Sequence, residues 1–105
     1  MSFSIVYITH GSEASARELA QQLVAERLAA CANIFPIKSM YWWQGGLESE
    51  DEWVSIVKTT NEGWKDLETR AIELHPYEVP CLMRIQVDAN AAYESWIQEQ
   101  VKVTS

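Results

Sequence analysis

Apolar side chains follow two rhythms along this chain, alternation and helical recurrence, and the switches between them predict its elements. Phe3 to Thr9 is a β-branched and aromatic run long enough for one strand, closed by Gly11. Ser12 is placed to cap a helix, with Glu13 in the first turn, where a negative charge suits the helix dipole. Ala16, Leu19, Ala20, Leu23, Val24 and Leu28 then recur at helical spacing as one apolar stripe. Cys31 to Gln44 reads as a second strand. Pro36 within it cannot donate to a ladder and marks an edge strand or a bulge. Gly45-Gly46 predicts a two-residue hairpin turn. Leu47 to Thr59 returns as a third strand, with Val54, Ile56 and Lys58 alternating against Trp53, Ser55, Val57 and Thr59. Asn61 is expected to cap a second helix lined by Trp64, Leu67, Ala71 and Leu74, which Pro76 ends. In the fourth strand Cys81, Met83, Ile85 and Val87 alternate with Arg84 and Gln86, and Leu82 breaks the pattern. Asn90 opens a last helix expected to bury Tyr93, Trp96, Ile97 and Val101.

The order is βαββαβ with a C-terminal helix. It predicts an α+β domain of the split-βαβ, ferredoxin-like type, with an antiparallel sheet in spatial order 4-1-3-2 and two helices on one face. All 105 residues fit this one domain. One measurement does not fit a closed domain. Fourteen extended residues from Cys31 to Gln44 span about 46 Å at about 3.3 Å each, whereas a chain of this length folds to roughly 35 Å across. The hairpin therefore has to project, and its tip carries Tyr41, Trp42 and Trp43, with Trp53 further down. Large aromatic side chains on an open sheet edge call for a cover, and the simplest cover is another copy of the chain.

Composition narrows the function. Hydrophobic residues are 48% of the chain, enough for a core. Eight basic against fifteen acidic residues give a net charge of −7, which opposes a phosphate backbone and argues against nucleic-acid binding. No apolar run approaches the roughly 20 residues of a membrane helix. The start of the sequence reads as a strand and not as a signal peptide. Cys31 and Cys81 form no CxxC pair. A cytoplasmic protein with reduced thiols is expected, although one bridge between the two stays open.

The segments "ERLAACANIFP", "YWWQGG", "VKTT" and "ELHPYEVP" stand in the order and at the spacing found in the CutA family, the divalent-cation tolerance proteins. The resemblance runs from about Ile5 to about Val101. It implies a ferredoxin-like subunit and a tight homotrimer in which long hairpins extend onto neighbouring subunits, burying Tyr41, Trp42 and Trp43. It also implies a role in tolerance of copper and other divalent metals, with no established reaction, hence no enzyme. The trimer resembles that of PII signalling proteins, which hold small effectors between subunits, so an effector sensor or a trimeric interaction scaffold stands as the alternative.

The candidate chemistry is concentrated near "HPYEVP". His75 and Glu78 carry metal-ligand atoms on a loop held between two prolines, and Glu78, His10 or Cys81 could supplement His75 from the same or a neighbouring chain. The sequence demands no cofactor, and copper(II) or another divalent cation is what those atoms would take. In the family, copper ligation has been ascribed to a first-strand cysteine and histidines before this loop. Ile8 stands where that thiol would fall and Leu74 precedes His75, so only His75 carries over. Lys58 ends an apolar strand and needs a partner. Glu78 or another acid in an inter-subunit cleft would serve, or an anionic effector held there with Tyr77. Glu48, Glu50, Asp51 and Glu52 either keep the hairpin soluble or offer oxygen to a hard cation.

Overall fold

The computed structural model describes residues 2–102. Its elements are β1 (Phe3–His10), α1 (Glu13–Ala25), β2 (Cys31–Trp43), β3 (Gly46–Thr59), α2 (Trp64–Leu74), β4 (Leu82–Val87) and α3 (Ala91–Gln100). The four strands form one antiparallel sheet in the order β2-β3-β1-β4, the expected order read from the other edge. Edge placement explains why Pro36 is tolerated in β2, since one side of that strand asks for no ladder donor.

Strand alternation divides the core between the two faces of the sheet. Val6, Ile8 and Val57 point to one face and pack against Leu19 and Leu23 of α1 and Leu67 and Ala71 of α2. Phe3, on the opposite parity of β1, packs with Ile97 and Val101 at α3, and Ile5, Cys31, Val87 and Tyr93 lie against them. The third helix thus covers one end of the second face and leaves the rest open. Ser12 accepts from the Ser15 amide at 3.1 Å, the N-cap expected of it.

Four local expectations are corrected. The hairpin turn lies one residue earlier, at Gln44 and Gly45, with φ of 50° and 80°, and Gly46 pairs with Trp43 in the ladder. A two-residue turn of this kind needs positive φ at both central positions, and Gln44 adopts it. The second helix is capped at Gly63, whose amide donates to Thr60 Oγ1 at 2.9 Å. Asn61 is used instead to tie Ser2, Ser4 and Arg84 together. In β4 the residue that broke the alternation, Leu82, faces the core, while Met83 and Ile85 are about half exposed on the open face. Finally, Trp96 of α3 is exposed and stacks on Tyr93.

The molecule measures 45 × 26 × 22 Å. The long axis comes from the hairpin. Strand β1 pairs with β3 only over residues 53–59, so residues 46–52 are paired with β2 alone. Beyond β1 the sheet is a two-stranded ribbon, a form only marginally stable by itself in water.

Candidate functional site

The site is built where β1 ends. His10 is the last residue of β1, and Gly11 turns the chain into α1. On the same face of the sheet, Pro76 cannot continue α2, so His75 leaves the helix in extended conformation (φ −78°, ψ 131°) and swings back over β1. Its ring stacks on His10, with centroids 5.3 Å apart and planes 14° from parallel. Both nitrogens of His75 are committed. Nε2 donates to the Thr9 carbonyl at 2.7 Å, and Nδ1 accepts the Tyr77 amide at 3.1 Å. These two bonds fix a neutral tautomer and aim Tyr77 across the end of β1. The Tyr77 hydroxyl then donates to Glu52 Oε2 at 2.8 Å. Gly11 permits this crossing, because a Cβ there would meet Tyr77 Oη at 3.2 Å.

His10 is fully buried and its Nε2 lies 2.8 Å from Ser55 Oγ, while Nδ1 has no hydrogen-bond partner among the described residues. Burial pushes its pKa down to about 4, helped by the neighbouring His75, with Glu52 opposing. The Tyr77 phenol is raised well above its ordinary value by burial first and then by the hydrogen bond to Glu52. Cys81 is raised as well, by burial and then by Glu52.

A cavity of about 560 Å³ opens beside Tyr77, toward the ribbon. The register places Tyr41 opposite Glu48, so Tyr41, Trp43, Glu48, Glu50 and Glu52 share one face of the hairpin and all line it. Glu50 accepts a hydrogen bond from Tyr41, which raises that phenol. Glu78 also lines the cavity.

The expected site residues are therefore only partly assembled. His10, His75, Tyr77 and Glu52 form one contiguous set. The four candidate metal ligands His75, Glu78, His10 and Cys81 do not converge within the chain. Among the described residues no group of three or more His, Cys, Asp or Glu side chains is arranged to hold a metal ion. His75 has no lone pair to give, because one nitrogen carries its proton to Thr9 and the other accepts from Tyr77. The donor set of a single chain thus does not fit copper(II).

Within one chain Lys58 lies apart from Tyr77 and Glu78, so a cleft joining the three would have to form between subunits. Lys58 is level with Ile5 on β1, while Trp53, next to Glu52, is level with His10 at the other end. Lys58 Nζ donates to Tyr93 Oη at 3.1 Å and lies 5.4 Å from that ring's centre. Cys31, its cross-strand partner, also touches Tyr93 Oη, at 3.5 Å. Both cysteines are free and half-buried.

Of the four aromatic residues expected at an interface, Trp42 is 75% exposed and Trp43 45%, whereas Tyr41 and Trp53 are half-buried. The residues that sequence reasoning missed are Thr9, whose carbonyl anchors His75, Ser55, and the pairing of Tyr41 with the acidic row. Only the last had a visible signal, since Glu48, Glu50 and Glu52 alternate and a hairpin centred near residue 45 sets Tyr41 against them.

Comparison with known proteins points to one family. The family model "CutA1 divalent ion tolerance protein" matches residues 4–100. A divalent-cation tolerance protein CutA from Pyrococcus horikoshii is 42% identical over 99 residues, covering 93% of this chain and 97% of its own. The crystal structure of CutA1 from that organism superposes with a TM-score of 0.91 at 41% identity, covering 94% of this chain and 98% of its own. The structure of the periplasmic divalent cation tolerance protein CutA from Archaeoglobus fulgidus gives a TM-score of 0.91 at 37% identity, covering 97% of this chain and 100% of its own. With matches spanning nearly the whole length in both sequence and structure, this chain belongs to the CutA1 divalent ion tolerance family.

Proposed function

We propose that the chain works as a homotrimer in divalent-metal tolerance, copper included, as a non-enzymatic protein of the cytoplasm. One observation carries the assembly. The ribbon beyond β1 exposes Met40 (77%), Trp42 (75%) and Leu47 (66%) on a two-stranded edge that its own subunit does not cover. Side chains of this size gain roughly 1.5–3 kcal/mol each on burial, and a second copy supplies the complementary strand edge that β2 lacks. The open sheet face bearing Met83 and Ile85 is a further apolar surface for the same contact.

The non-enzymatic reading rests on the site. His10 and Ser55 are within hydrogen-bond distance but both are fully buried, which denies a substrate access. Neither cysteine has a histidine bonded to it as a base among the described residues. Because one chain does not gather a metal-ligand set, tolerance is assigned to the assembly and not to a metal centre inside a subunit. An anionic effector would need a free cation at the cavity, and Lys58 is held by Tyr93 at the other end of the sheet.

Sedimentation at micromolar concentration should give about three times the 12.0 kDa chain mass. Cells lacking the protein should grow poorly in raised copper(II) and recover with the parent chain. They should not recover with a Trp42→Ala, Trp43→Ala variant that sediments as a monomer. A folded monomeric parent, or full recovery with a monomeric variant, defeats the reading. Fractionation of those cells locates the protein, and recovery from the periplasm, the compartment named for the Archaeoglobus relative, would remove the cytoplasmic assignment.

A further inference from the structure

Three reactive side chains meet beneath α3, at the end of the sheet away from the ribbon tip. Cys31 and Lys58 face each other across the β2–β3 ladder, and directly opposed strand residues carry Cβ atoms about 4.5–5.5 Å apart. Both side chains reach the same oxygen. The Tyr93 hydroxyl lies 3.1 Å from Lys58 Nζ and 3.5 Å from Cys31 Sγ. The phenol is held there by its ring, which packs edge-on to Phe3 with centroids 6.0 Å apart and stacks on Trp96 at 5.8 Å. Thiol, amine and hydroxyl all come from one chain, so the group is complete without a second subunit.

Metal tolerance uses none of the three, yet together they suit a redox step. Oxidation of a cysteine by a peroxide gives a sulfenic acid, which condenses with a neighbouring nitrogen to a sulfenamide. Lys58 offers that nitrogen on a flexible four-carbon stem. Its Nζ has only to swing from the Tyr93 oxygen to the sulfur that touches the same oxygen. Cys31 is free and only half-buried, and peroxide is little larger than water. Cys81 is also free but stands in the opposite setting. Burial and then the charge of Glu52 push its thiol up, which disfavours the reactive thiolate, and the charged neighbour there is a carboxylate and not an amine.

We propose that Cys31 and Lys58 form a reversible Sγ–Nζ sulfenamide when the protein meets hydrogen peroxide. The Cys31 thiol first loses its proton to water. Its sulfur attacks the O–O bond, so that one oxygen stays on sulfur as the sulfenic acid and the other leaves as hydroxide. The hydroxide takes a proton from the Lys58 ammonium, giving water and a free amine, with the Tyr93 hydroxyl placed to pass that proton. The amine nitrogen then attacks the sulfur and the S–O bond breaks. The departing hydroxide leaves as a second water, with a proton from that nitrogen. Sulfur gives up two electrons, the peroxide accepts them, and the neutral chain is lighter by two hydrogen atoms. The link ties the first residue of β2 to β3 at the foot of the hairpin and removes the ammonium that Tyr93 now holds. A thiol reductant cleaves the S–N bond and restores both side chains.

The test treats the native assembly, freed of reductant, with hydrogen peroxide and reads the intact chain mass after acid denaturation. A loss of two hydrogen atoms is expected, reversed by dithiothreitol. A tryptic digest should show the peptide bearing Cys31 joined to the one bearing Lys58, with no cleavage after Lys58. Cys81→Ser should form the same link, which separates it from a disulfide between the two cysteines. Lys58→Arg keeps the positive charge without a primary amine and should gain oxygen at Cys31 instead. Tyr93→Phe keeps the ring and should slow the link about tenfold, as expected for loss of a positioned proton carrier, and an unchanged rate overturns that role for Tyr93. Gain of oxygen alone in the parent overturns the proposal. So does a two-hydrogen loss that survives Lys58→Arg or disappears in Cys81→Ser. The peptide map of the parent decides the matter even where Lys58→Arg fails to fold. Sedimentation of the same samples reports the subunit number, so the link and the trimer stand or fall separately.

Discussion

The two ends of the sheet differ in how many layers they own. At the β1 end, Val6, Ile8 and Val57 are fully buried under α1 and α2, and α3 covers Phe3 from behind. At the ribbon end, residues 46–52 have one partner strand and no helix, and four of the large apolar side chains there stand in water. The same β-branched and aromatic composition therefore does different work at each end. One end is a finished core and the other is half of a core. A side chain contributes to the stability of its own subunit only where a second layer exists to receive it.

The contrast is tested most severely by truncating the ribbon aromatics. Each loss should remove roughly 3–5 kcal/mol from a fully packed environment. In Trp42→Ala, Trp43→Ala that loss should appear in subunit association, with the far-ultraviolet spectrum of the subunit kept. A double variant that sediments and melts like the parent would erase the distinction between the two ends. Leu67→Ala probes the other end. It removes a fully buried side chain of α2 and should cost about 2–5 kcal/mol of subunit stability. Chemical denaturation of a monomeric background should detect it, and a loss seen only as dissociation would place α2 outside the core.

A third test uses pH. His10 is buried neutral, with its pKa lowered from 6.5 to about 4. Between those values the unfolded chain binds a proton that the folded chain refuses. Stability is therefore complete above pH 6.5 and falls as the pH drops toward 4, by about 3 kcal/mol in all. His10→Gln should flatten that slope in melting curves taken from pH 7 to pH 4, and an equally steep slope would assign it to other groups. The smallest effect is expected at the turn. Gly45 has a φ of 80° and nothing within 4 Å of an added Cβ. Gly45→Ala should cost about 1–2 kcal/mol through backbone strain alone. The turn belongs to the ribbon, so the cost should fall on the assembly more than on the subunit core.

Much of the fold was legible because local rules and tertiary packing agreed. The helical stripe from Ala16 to Leu23, the cap at Ser12 and the stop at Pro76 are all local, and all are present. The misread details are those where two local answers were equally good. Gly45-Gly46 and Gln44-Gly45 are both acceptable turns, and the ladder chose between them by pairing Trp43 with Gly46. In β4 the longer apolar set, Met83 and Ile85, lost the core face to Leu82 because β1 pairing sets Leu82 level with Ile8. Alternation reports that a strand has two faces without saying which one the helices cover.

The candidate site was less legible, for a physical reason. Residue types such as His75, Tyr77 and Glu78 announce chemistry, but hydrogen bonding decides whether that chemistry is available. The Thr9 carbonyl and the Tyr77 amide occupy both nitrogens of His75, and neither partner can be read from a residue's identity, since both are backbone groups. Lys58 similarly finds Tyr93, 35 residues away, within its own chain.

By itself the sequence determined the element order, the length of the hairpin and its overreach beyond the domain. These follow from periodicity, strand rise and chain length, which are properties of short segments. The tertiary structure decided which face of each strand is wet, which partner each polar side chain takes, and that a row of alternate glutamates meets three aromatic rings around one cavity. Those facts depend on residues far apart in the chain coming within a few ångströms, and register and packing, not composition, set such distances.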